Sequence, residues 1–155
     1  MSKNTKKGFT IIEVVLVLAI AGLIFLMVFV ALPALRRSQA DTQRRSDAAN
    51  FMAQMNQYQV NNRGKVVSSQ TELDAFLTDY MKQKTGNAGE FVEPGTGNNY
   101  KVTYTTNQPG DNEQMTYSAG AICNGESMTT TGAGSRNAAL VVKLAGSGFF
   151  CSDLK

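Results

Sequence analysis

The feature that most constrains this chain is the run from Val14 to Leu32, which holds no charged and no strongly polar side chain. As a helix rising about 1.5 Å per residue it measures roughly 28 Å, close to the hydrocarbon thickness of a bilayer. An acid, Glu13, stands immediately before it. A lone carboxylate in lipid is strongly unfavourable unless a partner satisfies it or a proton neutralises it. Any account of the amino terminus has to say what Glu13 is for.

Three accounts compete. A cleaved secretory signal fits the basic start, Lys3, Lys6 and Lys7, and Ser38-Gln39-Ala40 would serve as its small-residue cleavage site. The apolar segment is longer than such signals need, and an acid at its entrance assists neither translocation nor recognition. A plain membrane anchor fits the length but leaves Glu13 unexplained. In the third account the chain is cut between Gly8 and Phe9. A new amino group then lies four residues before Glu13, one helical turn away on the same face, where ammonium and carboxylate can pair within a chain or between neighbouring chains.

That third arrangement has a specific likeness. A basic leader ending at Gly8, then Phe9-Thr10-Ile11-Ile12-Glu13 and a long apolar helix, resembles the class III signal of type IV prepilins and pseudopilins. The resemblance implies cleavage after Gly8 by a prepilin peptidase and N-methylation of Phe9 by the same enzyme. It implies that Glu13 is the residue on which filament assembly depends. It also implies a leader in the cytoplasm and a head outside. Charge counting alone leaves that orientation open, since three lysines precede the span and Arg36, Arg37, Arg44 and Arg45 follow it.

The implied organisation is a leader over 1–8, a long helix over 9–62 and a globular head over 63–155. The helix is expected to be embedded in the membrane over about 14–33 and amphipathic over about 36–62. The fold class is α+β and type IV pilin-like: a long helix packed against a small antiparallel sheet, with a disulfide-closed loop near the C-terminus. Ala48, Phe51, Met52, Met55 and Tyr58 recur at helical spacing with Gln, Asn and Asp between them, which predicts one face under a head domain. Pro33 removes a backbone donor and is expected to loosen the rod. Gly64, after Asn61-Asn62-Arg63, suits a left-handed cap.

Ser69-Gln70-Thr71-Glu72 reads as a capping box, and Leu73, Phe76, Leu77, Tyr80 and Met81 continue on one face, predicting a helix of about four turns that closes near Gly86. Tyr100, Val102 and Tyr104 alternate with Lys101, Thr103 and Thr105 as in a half-buried strand. A turn cluster, Asn107 to Asn112, separates it from a second alternation at Met115, Tyr117, Ala119 and Ala121. Ala138 to Leu144 and Phe149-Phe150-Cys151 form a last hairpin around Gly146-Ser147-Gly148. The sheet is expected to be a meander of three or four strands.

Two cysteines, Cys123 and Cys151, and no histidine are present among the 155 residues. An even pair in a small exported domain reads as one disulfide, with two buried free thiols as the alternative. Two cysteines without histidine do not complete a zinc site. Asp111, Asn112 and Glu113 lack a full oxygen set for calcium and read as a solvated turn. The net charge is +3. That excess resides in the three leader lysines, so it does not argue for a nucleic-acid partner. The four arginines past the span read as a headgroup anchor.

No nucleophile with a base, no phosphate-binding glycine loop and no carboxylate pair is recognisable, so no catalysis and no cofactor are expected. The expected function is the structural subunit of a type IV pilus, assembled by helix bundling from the membrane into an extracellular filament for adhesion or motility. A minor or competence pilin that binds DNA or a host ligand, and a type II secretion pseudopilin, are the alternatives. The implied partners are further copies of the chain in a helical filament, the prepilin peptidase and methyltransferase, an assembly platform with its ATPase, and the membrane before assembly. The precursor is expected to cross the cytoplasmic membrane once.

Overall fold

A computed structural model describes residues 8–86, 89–146 and 148–154. Of the expected leader only Gly8 falls among them. The chain divides into two compact units, Met1–Arg37 and Ser38–Lys155.

Helix α1 runs from Ile11 to Asn61, 51 residues, and contributes to both units. The helix continues through Pro33, so the expected loosening does not break it. Up to Leu35 the large apolar side chains are exposed all round, which is the pattern of a helix whose solvent is lipid. An 18-residue window within α1 reaches a mean hydropathy of 3.2, enough in length and composition to cross a membrane.

In the second unit the same helix is amphipathic. Ala48, Phe51, Met52 and Met55 are buried on one stripe, as the spacing predicts, and Tyr58 packs partly buried beside them. The helix ends where two consecutive residues, Arg63 (φ 56°) and Gly64 (φ 82°), turn left-handed. Gly64 N–H donates to Gln59 C=O at 2.7 Å, and Asn62 donates to Tyr58 C=O through both backbone and side chain at 2.9 Å. Carbonyls that the helix end would leave open are thereby satisfied.

Helix α2, Gln70–Asp79, is shorter than the expected four turns. Ser69 caps it, accepting from Glu72 N–H at 3.3 Å, while the Glu72 carboxylate reaches back to Ser68 N–H at 2.8 Å, one residue beyond the reciprocal box. It stops well before Gly86 because Lys82 takes a left-handed conformation (φ 53°), with Gln83 N–H returned to Leu77 C=O. That reversal keeps Met81 buried.

The strands are β1 (Lys101–Tyr104), β2 (Gln114–Ala119), β3 (Ile122–Asn124), β4 (Ser127–Thr129), β5 (Ala138–Lys143) and β6 (Phe149–Leu154). The main sheet has the order β1-β2-β5-β6. The β2/β5 and β5/β6 pairs are antiparallel, and the last is the hairpin expected around Gly146. β1 departs from a meander: it lies parallel to β2, with Lys101 opposite Gln114 and Tyr104 opposite Tyr117. A four-residue strand needs only a short return path, so the 105–113 connection suffices where longer parallel strands would need a crossover of about a dozen residues.

Both faces of this sheet are covered. Val102, Met115, Tyr117, Leu140 and Val142 meet the stripe of α1 and the apolar face of α2, with the Phe51 ring edge-on to Phe76 at 5.1 Å and 5.6 Å from Tyr117. On the opposite face Ala139 and Val141 pack with Ala121 and Met128 of a hairpin formed by β3 and β4. Its two-residue turn begins at Gly125 (φ 64°), the conformation a type II′ turn requires at its first central position. Cys123 and Cys151 form a disulfide with Cα atoms 5.8 Å apart, fastening β3 to β6.

Candidate functional site

The expected processing residues occupy one short stretch. Gly8, Phe9 and Thr10 precede the helix in extended or irregular backbone, and Phe9 is 91% exposed. Thr10 caps α1, and Glu13 completes a reciprocal box with it. The Glu13 Oε2 atom accepts from Thr10 N–H at 2.8 Å and from Thr10 Oγ1 at 2.9 Å, while Glu13 N–H points to Thr10 Oγ1 at 3.4 Å. An acid in the first turn also complements the positive end of the helix dipole. In the uncut chain Glu13 therefore has a local partner, a use that the charge-pairing argument from sequence overlooked although Thr-x-x-Glu spells it.

Phe9 and Glu13 face the same shallow depression as Val14, Val17 and Leu18. The Phe9 nitrogen of the uncut chain is an amide and carries no charge, so an ammonium partner for Glu13 exists only once a new end has been made.

The arginines past the span do not act as one cluster. Arg36 and Arg37 are exposed, but Arg44 is 3% exposed and cannot anchor at headgroups. Its guanidinium bonds through both Nε and Nη2 to Glu93 Oε1, the Nε contact at 3.0 Å, and through Nη1 to Asp41 at 2.7 Å. Glu93 is fully buried, and its second oxygen accepts from Gly95 N–H at 2.8 Å and Thr96 N–H at 2.6 Å. Asp41 in turn accepts from Ala145 N–H at 2.6 Å. With both Glu93 oxygens and most of the Arg44 donors matched, the buried charges are tolerated. The cluster ties α1 to the 93–97 turn and to the loop after β5. Arg45 lies 5.9 Å from the Phe150 ring centroid, a cation–π distance.

Tyrosines and one acid complete the polar interior. Tyr100 Oη donates to Asp47 Oδ2 at 3.0 Å, and Tyr117 Oη donates to Val67 C=O at 3.0 Å. Burial raises the Asp47 carboxyl above its ordinary value, and burial pushes both tyrosine hydroxyls well above theirs. The acids of the 111–113 turn are employed locally, Asp111 accepting from Glu113 N–H at 3.0 Å and from Gln114 Nε2 at 2.8 Å. Hydrogen bonds from Asn98 and Thr96 hold the exposed Glu113 carboxyl below its usual range.

Residues 3–29 match the family model described as the prokaryotic N-terminal methylation motif. No curated protein and no solved structure gives a significant match. The matched segment contains Gly8, Phe9, Glu13 and most of the apolar run, the residues whose geometry is given above. The chain therefore carries the class III signal peptide of type IV pilins, a motif that supports a type IV pilin-like or pseudopilin protein.

Proposed function

We propose that the chain is the structural subunit of a type IV pilus. It is cut between Gly8 and Phe9, methylated on the Phe9 nitrogen, held in the membrane by α1, and then transferred into an extracellular filament. The observation that carries this reading is the surface of the segment from Phe9 through the first half of α1 to Leu35. Its large apolar side chains are exposed, from 43% at Leu32 to 91% at Phe9, directly after a methylation motif. Leaving lipid would expose all of them to water unless the helices of other copies cover them at once. A staggered helix bundle does so, and a head-to-tail contact repeated along an axis gives an open filament.

Glu13 sets the register. Before cleavage its carboxylate is held by Thr10. After cleavage the ammonium at Phe9 of a neighbour competes for it, and in a dry core a matched pair is far more favourable than an unmatched charge. The disulfide near the end of the head supports a pilin over a pseudopilin, and the motif supports a structural subunit.

The test is Glu13→Ala expressed beside wild type, with sheared filaments analysed by mass and terminal sequence. The expected result is a variant that is inserted and cut before Phe9 but depleted at least tenfold from filaments. Equal incorporation of the two chains sinks register by charge pairing. A surface-derived chain starting at any other residue sinks the pilin reading itself.

A further inference from the structure

We propose that Gln70 and Gln83 are guards that stop β1 from pairing edge to edge with β1 of a second copy. The inference concerns the head alone and does not depend on the filament reading.

β1 is an end strand of its sheet. Lys101 N–H donates to Glu113 C=O, just before β2, at 2.8 Å, and Thr105 N–H donates to Tyr117 C=O in β2 at 2.9 Å. Strand alternation therefore turns the backbone of Tyr100, Val102 and Tyr104 away from the sheet. Such a row is a template for another strand. Here side-chain amides occupy it. Gln70 Nε2 donates to Val102 C=O at 3.1 Å, and Gln70 Oε1 accepts from Tyr104 N–H at 2.7 Å. Gln83 Nε2 donates to Tyr100 C=O at 2.8 Å. A primary amide presents one acceptor and two donors, so Gln70 reproduces the pair of bonds an added strand would make. Its second N–H is held by Asp74 Oδ1 at 2.8 Å, which fixes the amide orientation.

The occupied groups are those that a symmetric partner would use. In an antiparallel pairing of two β1 strands centred on Val102, Val102 faces Val102 and Tyr100 faces Tyr104. The bonds needed include Tyr104 N–H to Tyr100 C=O in both directions and acceptance at Val102 C=O, a self-complementary two-fold contact. All three groups named are already engaged by the glutamines. Neither glutamine is in the apolar core, and Gln70 is exposed at the first position of α2. Closing the edge is what these two side chains do. The far edge is served by Glu126, whose carboxylate accepts from Phe149 N–H at 3.2 Å, and by the hairpin that the disulfide fastens to β6.

The experiment compares full-length wild type and Gln70→Ala in the same detergent micelles, by sedimentation over a range of concentrations and by amide hydrogen exchange. Association through α1 is common to both chains and sets the baseline. Gln70→Ala is expected to self-associate at least tenfold more strongly, with Val102 amide exchange slowing as concentration rises. Gln83→Ala, which leaves α2 untouched, is expected to give a smaller increase of the same kind, and it decides the matter should Gln70→Ala lose native circular dichroism. Association unchanged from wild type in the folded variant overturns the proposal. So does stronger association with Val102 exchange independent of concentration, because the contact then lies elsewhere.

Discussion

The two halves of α1 are built by different rules although one helix carries both. Up to Leu35 the large apolar residues point in every direction and are exposed, whereas from Arg44 to Met55 a single stripe is buried and the remaining positions are polar or small. The first half is stable only where its surroundings are apolar, because no side of it is covered by its own chain. The second half is held by what the rest of the chain brings to it: the apolar face of α2, the inner face of the sheet, and a carboxylate from the 93–97 turn. The unbroken run of helix conceals this change of solvent, and the hydrophobic pattern reveals it.

The sharpest way to break the comparison is to remove equal kinds of contact from each half. Phe51→Ala should destabilise the head by about 3–5 kcal/mol, since a fully buried ring among Phe76, Phe91 and Tyr117 is lost and a cavity remains. Leu23→Ala, at a position 65% exposed, should shift head stability by no more than about 0.5 kcal/mol. Thermal melting of the two variants in one detergent checks this, and equal losses would mean that the halves are not energetically separate. Next in size is Glu93→Gln, which leaves the buried Arg44 guanidinium with only the partly exposed Asp41 as its opposite charge. A loss of about 3 kcal/mol is expected. A change below about 0.5 kcal/mol would show that water or Asp41 neutralises Arg44 adequately.

The smallest effect is pH-dependent and belongs to the second half's partners. Tyr100 and Tyr117 have folded-state pKa values raised above the ordinary 10.0. A folded protein that keeps protons which the unfolded chain releases loses stability as pH rises. Their contribution is full below about pH 10 and declines above it, by at most about 1.4 kcal/mol per pH unit for each tyrosine. Tyr117→Phe should remove about half of that alkaline slope in denaturant titrations between pH 9 and 11, measured at a fixed salt concentration. An unchanged slope would assign the alkaline loss to other groups.

Much of this was legible from local pattern. The apolar run, the methylation motif, the stripe from Ala48 to Tyr58 and the β5/β6 hairpin all repeat with a period or end on a turn residue that names the structure. The disulfide followed from an even pair in a small domain that comes after a signal segment. The β3/β4 hairpin was also written, in Gly125-Glu126, but its three-residue strands are too short and too polar to alternate visibly. What local pattern does not encode is who pairs with whom. Parallel and antiparallel strands alternate identically, so the turn cluster at 107–112 looked like a hairpin between β1 and β2. Arg44 stands among three other arginines, and only its partner 49 residues away makes it a core residue. Gln70 looked like spacer within a capping box, and its amide acquires a purpose only when β1 arrives beside it.

The central position of β5 governs the order in which the head becomes itself. β2 and β6 both zip onto β5, and the packing of α1 and α2 rests on the layer it completes. Much of the head's packing therefore depends on contacts between residues 138–143 and elements distant in sequence, the condition under which domains fold slowly.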